Sequence, residues 1–216
     1  MPSHVTAISF PIEGMESGWQ AGGYFGGGNV VNLLDSLHGR PAIVAGSGGT
    51  IDDIAGQFQT AMKELDPGNQ RPIVFAVNDV GAYLPLCDHL VSLHNDNLIH
   101  WAALRQDKHE RASFRTHSLR GADYEWTELT PTLALSGYFA MQIAYLMGCE
   151  PIVLVGCPGD DTKRFFDLQP TPAGKHSTRS GIERQLRLEM QRLPAFRAKV
   201  RSMSGWTREF FGGLEG

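Results

Sequence analysis

Three groups of residues in this chain could do chemistry. The first is a glycine loop, Gly46-Ser47-Gly48-Gly49-Thr50, set between an apolar run and a helical pattern. Glycines there let backbone N–H groups approach a phosphate, and the helix start adds partial positive charge. The loop lacks the lysine of a P-loop and the full G-x-G-x-x-G spacing, which disfavours Walker-type ATP hydrolysis. No acidic residue ends the next apolar run where an NAD ribose would need one; Asn78 and Asp79 come closest. The second is Ser136-Gly137, which opens another apolar helical pattern. The Ser136 hydroxyl could cap that helix, and the small pair also leaves room for a ligand beside its start. The third is His176 in Lys175-His176-Ser177. Histidine titrates near neutral pH and suits proton transfer, although a loop histidine can equally be a plain surface residue.

Other polar residues are less specific. His89, His94 and His100 lie near Asp88 and Asp96, but their spacing matches no standard ligand pattern, so no metal is expected there. His89 and His94 are expected on opposite faces of one strand. His94 and Asp96, at a strand end, are better placed to contact a ligand. Cys87, Cys149 and Cys157 form neither a C-x-x-C pair nor a disulfide framework, which fits a reducing compartment.

The elements that would position these residues alternate in type. Apolar runs at Pro41–Ala45, Ile73–Val77, Leu90–Leu93 and Ile152–Val155 read as buried parallel strands, with a further strand near Ser113–Ser118. Helical periodicity covers Ile51–Leu65, Leu98–Arg105, Ser136–Met147 and Thr178–Leu193. A short helix is expected over Asn29–Leu37, and another ending near Phe211. This alternation predicts an α/β chain with a parallel sheet and helices on both faces, in a single domain. The expected organisation is an N-terminal arm and short helix at 1–40, a core domain at 41–193 and a helical extension at 194–216. Ligands of such sheets bind outside the carboxyl ends of the strands. Four of those ends carry glycine or small polar residues: Gly46–Thr50, Asn78-Asp79, His94-Asn95-Asp96, and Gly156 to Asp161.

The net charge of −4 gives no bulk attraction to nucleic acid or anionic membrane. Between Lys175 and Arg208, however, nine Lys and Arg face only Glu183 and Glu189. That run reads as a solvated basic helix face or as a surface that meets an anion. The N-terminus shows no signal pattern, and the stretch Leu133–Gly148 is too short and too broken by polar residues to span a bilayer. A cytoplasmic location is therefore expected.

The glycine loop, Asn78 and the Ser136 helix together carry a resemblance. Gly46-Ser47-Gly48-Gly49-Thr50 looks like the G-x-G-P-S loop of bacterial sialyltransferases that use CMP-sialic acid. Asn78 resembles their nucleotide-contacting asparagine. Ser136-Gly137-Tyr138-Phe139-Ala140, then Ile143 to Gly148, then Ile152 to Gly156, is similar to their S-G helix and I-x-L-x-G strand. The same layout occurs in the motility-associated flagellin glycosyltransferases and in archaeal 6-hydroxymethylpterin pyrophosphokinases. The resemblance spans about residues 41 to 190. It implies a Rossmann-like nucleotide-binding domain. This chain departs from the pattern where Gly49 and Thr50 stand for Pro and Ser. It departs again after Gly156, where the family generally has G-x-D and this chain has Cys157-Pro158, so that Asp160 or Asp161 would have to substitute for the missing aspartate.

The resemblance implies a glycosyltransferase-like activity with a nucleotide-activated sugar, CMP-linked, as donor. Gly46, Ser47, Gly48, Gly49, Thr50, Asn78, Asp79, Ser136, Gly137 and Gly156 would hold the nucleotide. His94, Asp96, Asp160 and Asp161 would contact substrate, and His176 would act as general base on an acceptor hydroxyl. Two other readings stand beside it. One is a pterin-type pyrophosphokinase, which would need Mg²⁺ held by carboxylates such as Asp79, Asp96, Asp160 and Asp161. The other is a non-catalytic binding or assembly module, with a homo-oligomer possible.

Overall fold

A computed structural model describes residues 33–66, 70–109, 113–127, 129, 135–159 and 179–215. Seven strands form one sheet: β1 (Ala42–Ala45), β2 (Ile73–Val77), β3 (His89–Val91), β4 (Arg115–Ser118), β5 (Tyr124–Glu125), β6 (Ile152–Val155) and β7 (Val200–Ser202). Their order is β5-β4-β3-β2-β1-β6-β7, and every pairing is parallel. The expected Rossmann-like α/β sheet is thus the architecture found. β1 is central, with Ala42 opposite both Ile73 and Ile152. All four of its residues are buried, which is why it reads as an unbroken apolar run.

Both faces are covered. Ile43 and Ala45 point to a cluster filled by α1 (Ile51–Glu64), the 3-10 helix Asn78–Ala82 and α2 (Asn95–Lys108). Ala42 and Val44 point to the opposite cluster, filled by α3 (Ser136–Leu146), α4 (Arg179–Arg192), α5 (Pro194–Lys199) and α6 (Gly205–Phe211). Successive crossovers of one hand place the first group on one face; the reversal of direction at β6 sends the rest to the other. α3 is buried from Tyr138 through Ala144, so it needs no polar face.

Local chemistry fixes the element ends. Thr50 caps α1: the Asp53 amide donates to Thr50 Oγ1 at 3.1 Å, and Thr50 Oγ1 donates to Asp53 Oδ2 at 2.7 Å. This capping box sets the helix start at Ile51 and satisfies donors the first turn would otherwise leave open. α2 is longer than its periodicity suggested. It begins at Asn95, so His94 is its N-cap residue and Asp96 lies in its first turn.

Residues 194–216, expected as a helical extension, carry strand β7 between α5 and α6. β7 has only three residues, one of them Arg201, and forms by pairing with β6 (Ile152↔Val200). Of the expected helix at Asn29–Leu37, the described part from Leu33 onward is a series of turns. The arm before it lies outside the described residues.

Two glycines lock the centre of the sheet. Gly156 has φ +59, and a Cβ there would run into the Gly46 carbonyl oxygen. A Cβ on Gly46 would sit 2.6 Å from Cys157 Sγ and 2.9 Å from the Gly156 carbonyl oxygen. Gly56, by contrast, is exposed on α1 with open space around its missing Cβ. We expect Gly156→Ala to lower stability by more than about 2 kcal/mol, since left-handed backbone alone costs roughly 1–2 kcal/mol and the clash adds to it. Gly56→Ala should instead raise stability by about 0.5–1 kcal/mol through helix propensity. Thermal melts of the two variants read both signs.

Candidate functional site

Parallel pairing puts the ends of β3, β2, β1 and β6 side by side at one edge. Three gaps of about 4.8 Å separate these four strands, so the row spans roughly 14 Å. Along it lie, in order, Ser92 to Asp96, Asn78, Gly46–Thr50 and Gly156–Gly159. Strand order reverses between β1 and β6, which is where open α/β sheets form a crevice. The dispersed sequence candidates therefore share one edge. Asp160, Asp161 and His176 lie outside the described residues.

The glycine loop is more committed than its composition suggests. The Gly46 amide donates to the Val155 carbonyl at 2.8 Å, and the Gly48 amide to the Gly156 carbonyl at 2.8 Å. A Cβ on Gly48 would meet Pro158 Cδ at 2.5 Å. Gly46 and Gly48 are glycine because the loop after β6 packs on them. At the start of α1, Asp52 and Asp53 occupy the first turn and Thr50 is already used as a cap. This helix end carries its own negative charge, which opposes a phosphate.

The start of α3 is different. Its N-cap residue is Leu135, no side chain caps it, and no acid stands in its first turn. Ser136 was a candidate cap; instead its Oγ accepts from the Leu93 amide at 3.4 Å, tying the start of α3 to the end of β3. A Cβ on Gly137 would touch only Cys157 Sγ, at 3.8 Å. The first turn of α3 thus reaches across the row from β3 to β6. Cys157 lies between Gly46 and Gly137, and burial pushes its thiol up to about 12. It stays protonated at neutral pH and serves as wall, not nucleophile.

The remaining candidates divide. Asn78 is in left-handed backbone, φ 55, and its buried Oδ1 has no hydrogen-bond partner. Such an orphan acceptor at a strand end is a site signature. Asp79 is buried, and its Oδ1 accepts from the Val80 amide at 3.0 Å, so it is turned into the fold. Asp96 is exposed on α2. No group of three metal-ligating side chains occurs among the described residues. An open groove of about 630 Å³ lies elsewhere, between α1 and Tyr83–Pro85, with Phe58 and Met62 in its walls. Its lining also includes Gln59, Lys63 and Asp66, but it does not lie at the crevice between β1 and β6, which remains the better candidate.

Sequence reasoning missed one polar cluster. His94 lies beyond β3, so the expected opposition of His89 and His94 on one strand does not arise. His89 pairs with His117 of β4, which carried no motif. Trp126 Nε1 donates to His117 Nδ1 at 3.0 Å, which leaves Nε2 as the His117 donor to His89 Nδ1 at 2.8 Å. Both rings are therefore neutral, and Phe75 stacks on His89 at 4.5 Å. Burial pulls His89 down to about 4, against Asp88 and with Arg115. Burial, then His89, holds His117 well below its usual range. His117 is fully buried and both of its ring nitrogens are bonded inside the fold, to Trp126 and His89, so the pair is structural.

No protein-family model, curated protein or solved structure matches the chain. No described helix is long and apolar enough to cross a membrane.

The histidine pair gives a signed expectation. A folded pKa below the unfolded 6.5 contributes stability that is complete above pH 6.5 and is lost as pH falls toward 4. For His89 alone the fall from 6.5 to about 4 amounts to roughly 3 kcal/mol. Denaturant melts at pH 8, 6.5, 5 and 4 should show a plateau followed by that loss. A flat profile down to pH 5 would show that the pair takes up protons without strain.

Proposed function

We propose that the chain binds a nucleotide across the row of strand ends, with its phosphate on the first turn of α3. The observation that carries this is the contrast between two helix starts at one edge. α1 is capped and acidic, whereas α3 is uncapped and acid-free, with Gly137 in its first turn beside Cys157 Sγ. Backbone N–H groups at such a start favour an anion. Asn78, with its orphan Oδ1, supports a second contact, to ribose or base.

The chemistry follows from the resemblance to sialyltransferase-like and flagellin-glycosyltransferase-like proteins. On that reading the ligand is a nucleotide-activated sugar, CMP-linked. The α3 turn would stabilise the departing nucleotide's charge. His176 would take the proton of an acceptor hydroxyl.

Calorimetry with CMP, CDP, AMP and ADP tests the site. CMP or CDP should raise Tm more than the adenine nucleotides, since ligand at 100 times its Kd adds about 2.7 kcal/mol. Gly137→Val should keep the fold, because a Cβ there makes only an ordinary contact with Cys157 Sγ, and weaken CMP binding by at least about tenfold, roughly 1.4 kcal/mol. Unchanged binding in that variant would place the nucleotide elsewhere.

A second measurement separates catalysis from binding. His176→Ala should slow donor hydrolysis or sugar transfer by at least roughly 100-fold, with little change in nucleotide affinity. Wild-type protein that binds a nucleotide sugar but never turns it over, with several acceptors tried, would mark a non-catalytic module.

A further inference from the structure

The loop after β6, Gly156–Gly159, forms one wall of the crevice. Its Gly156 carbonyl accepts from the Gly48 amide at 2.8 Å, and Cys157 Sγ stands beside Gly46 and Gly137. Gly156 and Gly159 are both in left-handed backbone, φ +59 and +67. Glycines at both ends give this loop little stiffness of its own. It is fastened from the C-terminal end of the chain. Thr207, in the first turn of α6, is 4% exposed and holds two successive carbonyls of the loop. Its amide donates to the Pro158 carbonyl at 3.0 Å, and its Oγ1 donates to the Cys157 carbonyl at 2.6 Å. The Ser204 carbonyl is farther from Oγ1, at 3.0 Å, so the hydroxyl proton belongs to the Cys157 bond. Ser202 Oγ, at the buried end of β7, lies 2.8 Å from Thr207 Oγ1 and is therefore the donor between the two. A Cβ on Gly159 would meet Thr207 Cγ2 at 2.7 Å and Trp206 Cε3 at 3.1 Å, so glycine there lets α6 come this close.

A chain of hydrogen bonds thus runs from β7, through Thr207, to the backbone of the crevice wall. Such chains polarise one another and hold their ends firmly in a buried setting. We propose that Thr207 is a positioning residue for nucleotide binding: through its hydroxyl, the β7–α6 unit sets where the Cys157 wall stands against the first turn of α3. This rests on the reading of the crevice as the nucleotide site. Thr207 acts through the Cys157 carbonyl. Without that bond the loop can turn about its two glycines, which shifts Sγ relative to Gly137 and frees the Gly48 amide from the Gly156 carbonyl. If Thr207 only filled space, a valine of the same shape would serve as well.

The test compares Thr207→Val, which keeps the shape and deletes the hydroxyl, with Thr207→Ser, which keeps the hydroxyl. Two readouts are taken, hydrogen exchange of the Gly48 amide by nuclear magnetic resonance and CMP affinity by calorimetry. In Thr207→Val, exchange at Gly48 should speed up by at least about tenfold more than at the amides of β2, because the loop then opens locally. CMP should bind at least about tenfold more weakly. Thr207→Ser should restore both readouts to near wild type. If Thr207→Val does not fold, Ser202→Ala breaks the same chain at its first hydroxyl and should change both readouts in the same direction. Equal acceleration at Gly48 and in β2 overturns the proposal, since Thr207 then contributes only to overall stability. So does a serine variant that behaves like the valine one, or faster Gly48 exchange with CMP affinity unchanged. Wild-type protein that binds no CMP overturns the nucleotide reading itself, and the proposal with it.

Discussion

Gly46 and Gly156 approach so closely that neither tolerates a side chain, and the Gly48 amide closes the gap by donating to the Gly156 carbonyl. This loop-to-loop contact joins the two strands between which the sheet reverses direction. It fixes β1 and β6 in register at their carboxyl ends, and it lets α1 start from one loop while α3 reaches in from the other face. Cys157 Sγ lies beside Gly46 and Gly137, and its buried, protonated thiol gives the crevice a neutral floor. A larger residue at either glycine would part the loops and move every strand-end candidate at once.

Two helix starts at the same edge have opposite electrostatic characters. Their backbone dipoles are alike, so the difference lies in side chains. Thr50, Asp52 and Asp53 make α1 self-sufficient. α3 has only Leu135, Ser136 and Gly137 at its start, and the single engaged group, Ser136 Oγ, faces Leu93. A capping box stabilises its own helix by about 1 kcal/mol, at the cost of the anion affinity an open start retains.

Two buried polar clusters tie elements of this fold together. Trp126 Nε1 donates to His117 Nδ1, which fixes the His117 tautomer and leaves its Nε2 to donate to His89 Nδ1. Arg105 is buried and donates to the carbonyls of Gly81 and Leu84 at 2.6 and 2.9 Å, holding the 3-10 helix in place. The first cluster rigidifies the β3–β4–β5 side of the sheet.

Features that rest on neighbouring residues are legible before folding. The apolar run Ile73–Val77 and its stop at Asn78 are local signals, as are the helical spacing of Ile54, Phe58 and Ala61 and the run at Ile152–Val155. From these the α/β class and the glycine-marked strand ends were legible. Strand order was not, because parallel pairing is made between segments far apart in the chain. Only the sheet decided that the ends of β3, β2, β1 and β6 are neighbours. β5 and β7 escaped the reading because two- and three-residue strands have too few side chains to show a period; pairing with β4 and β6 defines them. The same reason hid His117, an unremarkable residue until β4 lies against β3 and brings its ring to His89. The roles of Gly46 and Gly48 also changed on folding. Their type was visible, but whether a glycine makes room for a ligand or for another loop depends on what stands opposite, and that is set by the tertiary contact with Gly156 and Pro158.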